Sequence, residues 1–218
     1  DIEIAIIAAN EAIRDAGLKT KAFDDEQSIT INPKRSAIVL GANSISCDLI
    51  EIAPSIARGI VDGRFDKRKW GTDSIETVTP LWLLKYLPNM LACHIGIIHD
   101  LQGPSNTITC AEVAGHLAVG EAAQIVERGD ADIAVAGGGE SKVNPIVHMR
   151  QALLKRGTTE YNDNPQQACR PFADDAKGGV FGEAAGCVVL ENSELAKKRG
   201  AKIYAAIAGF GQSCSLNA

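Results

Sequence analysis

The apolar positions of this chain change period along its length, and each change marks an element. Ile2, Ala5, Ile6, Ala9, Ala12, Ile13 and Ala16 recur at spacings of three and four, which gathers them on one face of a helix. Gly17 follows where a left-handed cap belongs. The run 36–41 is apolar after its first residue and ends in Gly41, the pattern of a strand buried on both faces. A loop and helix are expected over about 47–61. The charged stretch 62–79 contains Gly63 and Gly71 and reads as a surface excursion, its mixed charge solvated.

The alternation continues towards the C-terminus. Pro88 divides the apolar stretch 80–101 into a short helical piece and a longer helix over 89–99. The β-prone Thr107, Ile108 and Thr109 lead into a small-residue helix over 113–126, closed by Gly129. Residues 130–136 then form a second buried strand that ends in Gly137-Gly138-Gly139. Strand, helix and strand in this order make a βαβ crossover, which builds a parallel sheet. The triple glycine has neither the Lys-Ser/Thr of a phosphate loop nor dinucleotide spacing, so close backbone packing is its reading. Beyond it the pattern predicts a helix over 147–154, a polar loop over 155–175 and a glycine-rich entry into a strand ending at 191. A helix over 193–199 and a final strand over 201–211 complete the prediction. The class is α/β, a largely parallel sheet covered on both faces.

Composition narrows the function. With 218 residues, 45% of them hydrophobic, the chain can bury a sizeable core. A formal net charge of −5 gives no sequence-wide pull towards nucleic acid or anionic membrane. No run is long and apolar enough to span a bilayer and no signal-peptide pattern opens the chain, so a cytoplasmic protein without membrane insertion is expected. The cysteines, at 47, 93, 110, 169, 187 and 214, lack metal-type spacing and read as free thiols. No metal site and no cofactor is expected. His94 and His99, on or near the helix over 89–99, read as structural residues.

The chemistry is expected at the strand-to-helix turn around residues 109–113. There the first N–H groups of a helix are unpaired and its dipole presents a positive end, so a side chain can be held as an anion or activated as a nucleophile. Glu112 stands at that join, with Cys110 two residues before it and His116 four residues after it on the same helical face.

Three segments together resemble the elongating-type β-ketoacyl-acyl-carrier-protein synthases. They are Gly103-Pro104 leading into the turn, Gly137-Gly138-Gly139-Glu140 with Pro145 beyond, and Arg170-Pro171-Phe172 followed by Gly178, Gly182, Glu183 and Gly186. Leu190-Glu191, the stretch 196–204 and Gly209-Phe210-Gly211 resemble the same family. The resemblance implies a thiolase-like layered αβαβα fold, of which this chain carries mostly the N-terminal half. The family's first strand is expected before Asp1, and its second half, with two histidines and a lysine, after Ala218.

It also implies a decarboxylative Claisen condensation on acyl-carrier-protein thioesters, through a cysteine at the N-terminus of the buried helix. A gap-free match from Gly103 through Gly115 and Gly120 puts Glu112 at that cysteine's position. A shift of two residues would make Cys110 the nucleophile but leave Gly115 and Gly120 out of step. Glu112 as a carboxylate that merely complements the helix dipole is a third alternative. Trp82, after Pro80-Leu81, is expected to close the end of an acyl tunnel and Ile45 to face it, with core packing the alternative for both. The implied partners are acyl carrier protein and a second subunit, in a homodimer or a heterodimer with a cysteine-bearing ketosynthase. The competing functions are a non-catalytic, chain-length-factor-like partner subunit and a coenzyme A-dependent thiolase-type enzyme. The carrier-protein type of the 170–186 segment disfavours the last.

Overall fold

The computed structural model describes residues 1–23, 28–43 and 47–215. In chain order the main elements begin with α1 (Ile2–Asp15), β1 (Ser36–Gly41), α2 (Leu49–Arg58), and the two-residue strands β2 (Ile60–Val61) and β3 (Arg64–Phe65). They continue with the single turn α3 (Lys67–Lys69), α4 (Met90–His99), β4 (Ser105–Ile108), α5 (Ala114–Glu127) and β5 (Ile133–Ser141). The last are α6 (Pro145–Leu153), β6 (Glu183–Glu191) and α7 (Ser193–Lys198). They group into two compact units: Asp1–Ser44 with Leu87–Glu140 and Ala184–Ala218, and Ile45–Tyr86 with Ser141–Glu183.

The first unit is built on a four-stranded sheet of order β4-β1-β5-β6. β1 is parallel to β4, with Ile38 opposite Ser105, and to β5, with Ser36 opposite Ile133. Alternate residues of a strand face opposite sides, and β1 uses both. Ala37 and Val39 pack with Ala134 and Ala136 of β5 against Ala118, Ala122 and Ile125 of α5. Ile38 and Leu40, equally buried, lie on the opposite face, where α4 crosses β1 and α1 packs on α4. Ala5, Ala9 and Ile13 of α1 and Leu91, Ala92 and Ile95 of α4 complete that layer. This is the α/β arrangement expected from the sequence, with helices on both faces.

β6 departs from the parallel expectation. Gly139 packs on Ala185, Gly137 on Gly186 and Cys187, and the Asn192 N–H donates to the Asp132 carbonyl at 3.0 Å, so β6 runs antiparallel to β5. The connection from β5 to β6 passes through the second unit rather than through a simple crossover helix. The glycines at 137–139 lie within β5, not in a loop after it. Gly137, at φ 156°, faces the Gly186 carbonyl where any side chain would collide, and a Cβ on Gly138 would come within 2.9 Å of the Gly41 carbonyl. Close backbone approach is therefore what these glycines provide.

The expected strand over 201–211 is not formed. Residues 201–215 adopt no regular structure and no strand among the described residues pairs with them. Their apolar residues satisfy the pattern of a strand, but an extended segment becomes one only when a neighbour completes its hydrogen bonds.

In the second unit α2 starts at Asp48, whose side chain accepts from the Ile50 N–H, and ends at Arg58, because the chain folds into the antiparallel hairpin of β2 and β3. The charged stretch 62–79 holds this hairpin edge and a succession of short helical turns, mostly exposed as expected. Buried Ser55 anchors those turns by donating to the Ser74 carbonyl at 3.0 Å. Glu51 accepts from the Tyr86 hydroxyl at 2.7 Å and pairs with Lys85. α6 begins at Pro145 behind the Asn144 cap.

Candidate active site

β1, β4 and β5 end on the same edge of the sheet, and the head of α5 is brought down onto that edge. In an open α/β sheet ligands bind at the carboxyl ends of parallel strands. The approach is as close as backbones allow: a Cβ on Gly41 would collide with the main chain of Ala114 and Gly115. Between β4 and α5 the chain makes a sharp turn. Cys110 has φ −148° and ψ 53°, Ala111 has φ 46°, and residues Ala111–Val113 form one 3₁₀ turn before the α-helix begins. A left-handed alanine costs about 1–2 kcal/mol relative to ordinary backbone. No side chain caps α5 at Val113, so the turn opens the helix head instead of closing it.

A cavity of about 410 Å³ lies at this head. Its walls are glycine and alanine from the ends of β1 and β5, from β6 and from α5, with Val119 and Val188 among them. Its polar side chains are Asn43, Glu112, His116 and Glu140. Glu112 is exposed on the 3₁₀ turn and His116 is exposed one helical turn further on. Asn43, beyond β1, donates from Nδ2 to Glu140 Oε2 on β5 at 3.4 Å.

The residues singled out from the sequence fall in different places. Glu112 and His116 meet in the cavity. Cys110 is exposed and is not among the residues that line it. Trp82 belongs to the second unit, half-buried in a 3₁₀ turn, its ring 5.4 Å from that of Tyr86. Ile45 lies outside the described residues. Asn43 and Glu140 were not singled out as site residues, although Asn43 lies just beyond the glycine-ended β1 and Glu140 follows the glycines near the end of β5, and in a parallel sheet that edge is itself a signal. Among the described residues no group of three His, Cys, Asp or Glu is placed to hold a metal ion.

Of the two histidines expected to be structural, His94 and His99, the second is held as a buried structural residue. His99 is fully buried between α1 and α4, its Nε2 2.8 Å from Asn10 Oδ1 and its Nδ1 2.7 Å from the Thr20 hydroxyl. Because an amide oxygen can only accept, Nε2 carries the proton and Thr20 donates to Nδ1. Burial, with a smaller contribution from the Arg14 charge, lowers its pKa to about 4. Cys187, on β6, is pushed up to about 11 by burial, which makes it an inert thiol.

A cavity thus lies at the open head of the central helix, over the carboxyl ends of the parallel strands of a sheet with helices on both faces. Residues 2–196 match the family model described as "Beta-ketoacyl synthase, N-terminal domain", and the chain belongs to that family. It is 36% identical over 212 residues to 3-oxoacyl-[acyl-carrier-protein] synthase 2 of Rhizobium meliloti (strain 1021), covering 97% of this chain and 46% of that protein. Among solved structures it is similar to a β-ketoacyl synthase from Burkholderia phymatum STM815, with a TM-score of 0.72 and 27% identity over 91% of this chain and 43% of that one. It shares the fold of the ishigamide ketosynthase/chain length factor, with a TM-score of 0.66 and 24% identity over 92% of this chain and 43% of that one. The chain thus spans about half the length of the curated relative.

Proposed function

We propose that the protein serves fatty-acid or polyketide synthesis in the cytoplasm, on acyl groups carried as acyl-carrier-protein thioesters, as the subunit of a ketosynthase heterodimer that does not itself become acylated. The observation that carries this reading is Glu112 at the cavity beside the open head of α5, the position that the family resemblance gives to the nucleophilic cysteine. A thiol placed there exchanges one thioester for another at little cost. A carboxylate would have to form a mixed anhydride, which is more activated than the thioester it came from, so the acyl group returns to the carrier. Glu112 then acts as a fixed anion that shapes the cavity, and a cysteine-bearing ketosynthase supplies the acylated site. The name of the curated relative, an acyl-carrier-protein synthase, supports the carrier-protein part of this assignment. A second reading makes Cys110 the acyl acceptor; its exposure favours that reading.

The test uses the native full-length protein with Glu112→Cys and Cys110→Ala variants, each incubated with acyl- and malonyl-carrier protein. Intact mass follows acylation and a coupled assay follows carbon dioxide release. The parent is expected to form no adduct and release no carbon dioxide, and Glu112→Cys to gain an acyl group. A parent that acylates, and that Cys110→Ala silences, would be a condensing enzyme with a displaced nucleophile.

A further inference from the structure

The cavity at the head of α5 continues between α5 and β6, and its walls change size at one depth. Gly115 of α5 lies beside Gly137 and Gly138 of β5, and Gly137 in turn lies against Gly186 of β6. At this level the space is bounded by glycine main chain. Further in, by one helical turn or about 6 Å along α5, Val119 lines the cavity. Because β6 runs antiparallel to β5, its later residues also lie deeper, and Val188 stands on the same face as Gly186, about 7 Å further in. Leu190, next on that face, is already packed in the apolar layer under α5. Resting on the reading that this cavity receives an acyl thioester, we infer that Val119 and Val188 are its specificity determinants and set the length of acyl group it holds. They admit a chain of about six carbons and stop a longer one.

The match is one of length against length. The five carbon–carbon bonds of a hexanoyl group, about 1.5 Å each and zigzag, reach about 6 Å. That is the distance from the glycine level to the valine level. Neither valine turns aside easily, because branching at Cβ leaves few χ1 positions, and in a helix essentially one. Val119 is also packed against the apolar layer under α5. The glycine level has main chain on main chain behind it, with Gly138 against the Gly41 carbonyl and Gly137 against the Gly186 carbonyl. The wall there cannot recede to make room. Each methylene seated against it leaves water and should tighten binding by about fourfold. A methylene beyond the valine pair stays in water and adds nothing.

The experiment measures binding by titration calorimetry of three amide analogues that cannot transfer their acyl group: butanoyl-, hexanoyl- and decanoyl-pantetheine. It uses the native full-length parent, the double variant Val119→Ala/Val188→Ala, and Gly186→Val. The parent is expected to bind the hexanoyl compound about tenfold more tightly than the butanoyl one, and the decanoyl compound to within about threefold of the hexanoyl. The double variant should bind the decanoyl compound at least about tenfold more tightly than the hexanoyl. A Cβ on Gly186 meets nothing within 4 Å, so Gly186→Val keeps the fold and shortens the space. It should bring the hexanoyl compound to within about threefold of the butanoyl. A parent whose affinity keeps rising to decanoyl overturns the inference without recourse to any variant. So does a double variant that unfolds cooperatively and gains nothing on decanoyl. Should the double variant lose its cooperative unfolding, Gly186→Val decides alone, and an unchanged preference for hexanoyl overturns the inference. Failure of the parent to bind any of the three overturns instead the reading of the cavity as an acyl-thioester site, and this inference with it.

Discussion

The two ends of the same sheet are built in opposite ways. At the end where β5 begins, polar groups are matched. Arg35 pairs with Asp132 at 2.6 Å, the Asp132 N–H donates to the Arg35 carbonyl at 2.8 Å, and the Asn192 N–H returns to the Asp132 carbonyl. Asn192 Oδ1 also accepts from the N–H groups of Glu194 and Leu195, capping α7. Arg199 closes that end by forking onto Glu191 and reaching the Ala16 carbonyl. At the cavity end the central helix has no side-chain cap, a left-handed alanine precedes it, and two carboxylates share one space. Ordinary folding pressure produces the first end. The second departs from it where an open helix head is required, as expected where function opposes local stability.

The largest effect should come from closing the cavity end sterically. Gly41→Val places a branched side chain where even a Cβ collides with the main chain of α5. Neither backbone can yield without separating helix from sheet. We expect a loss of about 4 kcal/mol or more, read as loss of the cooperative thermal transition. Gly209→Ala, which meets nothing within 4 Å, should stay within about 0.5 kcal/mol of the parent. A mild Gly41→Val would mean that α5 is free to move, and the contrast between the two ends would disappear.

Next in size is the pH response of the layer beneath the sheet. His99 is held neutral, with its pKa lowered from 6.5 to about 4. The unfolded chain takes up the proton first as pH falls, so protonation favours unfolding. The stability from this residue is whole above about pH 6.5, declines from there to about pH 4, and is lost below it, a change of roughly 3 kcal/mol. Urea midpoints measured from pH 7.5 to pH 4 should follow that window. His99→Gln, though less stable at neutral pH, should flatten it.

The same contrast explains what could be read from the sequence. The apolar run of β1, the small-residue face of α5 and the glycines of β5 were legible because burial imposes a period and close approach imposes glycine. Glu112 stood out because a charge at the start of an apolar helix breaks the pattern. Asn43 and Glu140 did not, since a polar residue after a strand is ordinary and only the shared edge of the sheet brings the two together. The direction of β6 was hidden because its connection runs through another unit, and the period of a strand carries no direction. Ala111 gave no sign at all. A left-handed position is normally announced by glycine or asparagine, and here it is held by alanine.

The two smallest effects have opposite signs and test the comparison most finely. Asn192→Ala removes the acceptor for two N–H groups at the head of α7 and should cost about 1 kcal/mol, as the loss of a side-chain cap usually does. Ala111→Gly at the head of α5 should do the reverse. Glycine occupies φ near +46° without the Cβ clash that alanine suffers there. It also enlarges the freedom of the unfolded chain, which offsets part of the gain. The expected balance is a stabilisation of about 0.5–1 kcal/mol, seen as a rise in thermal midpoint. A destabilised Ala111→Gly would mean that the turn is relaxed as it stands, and that the cavity end is no more strained than the end capped by Asn192.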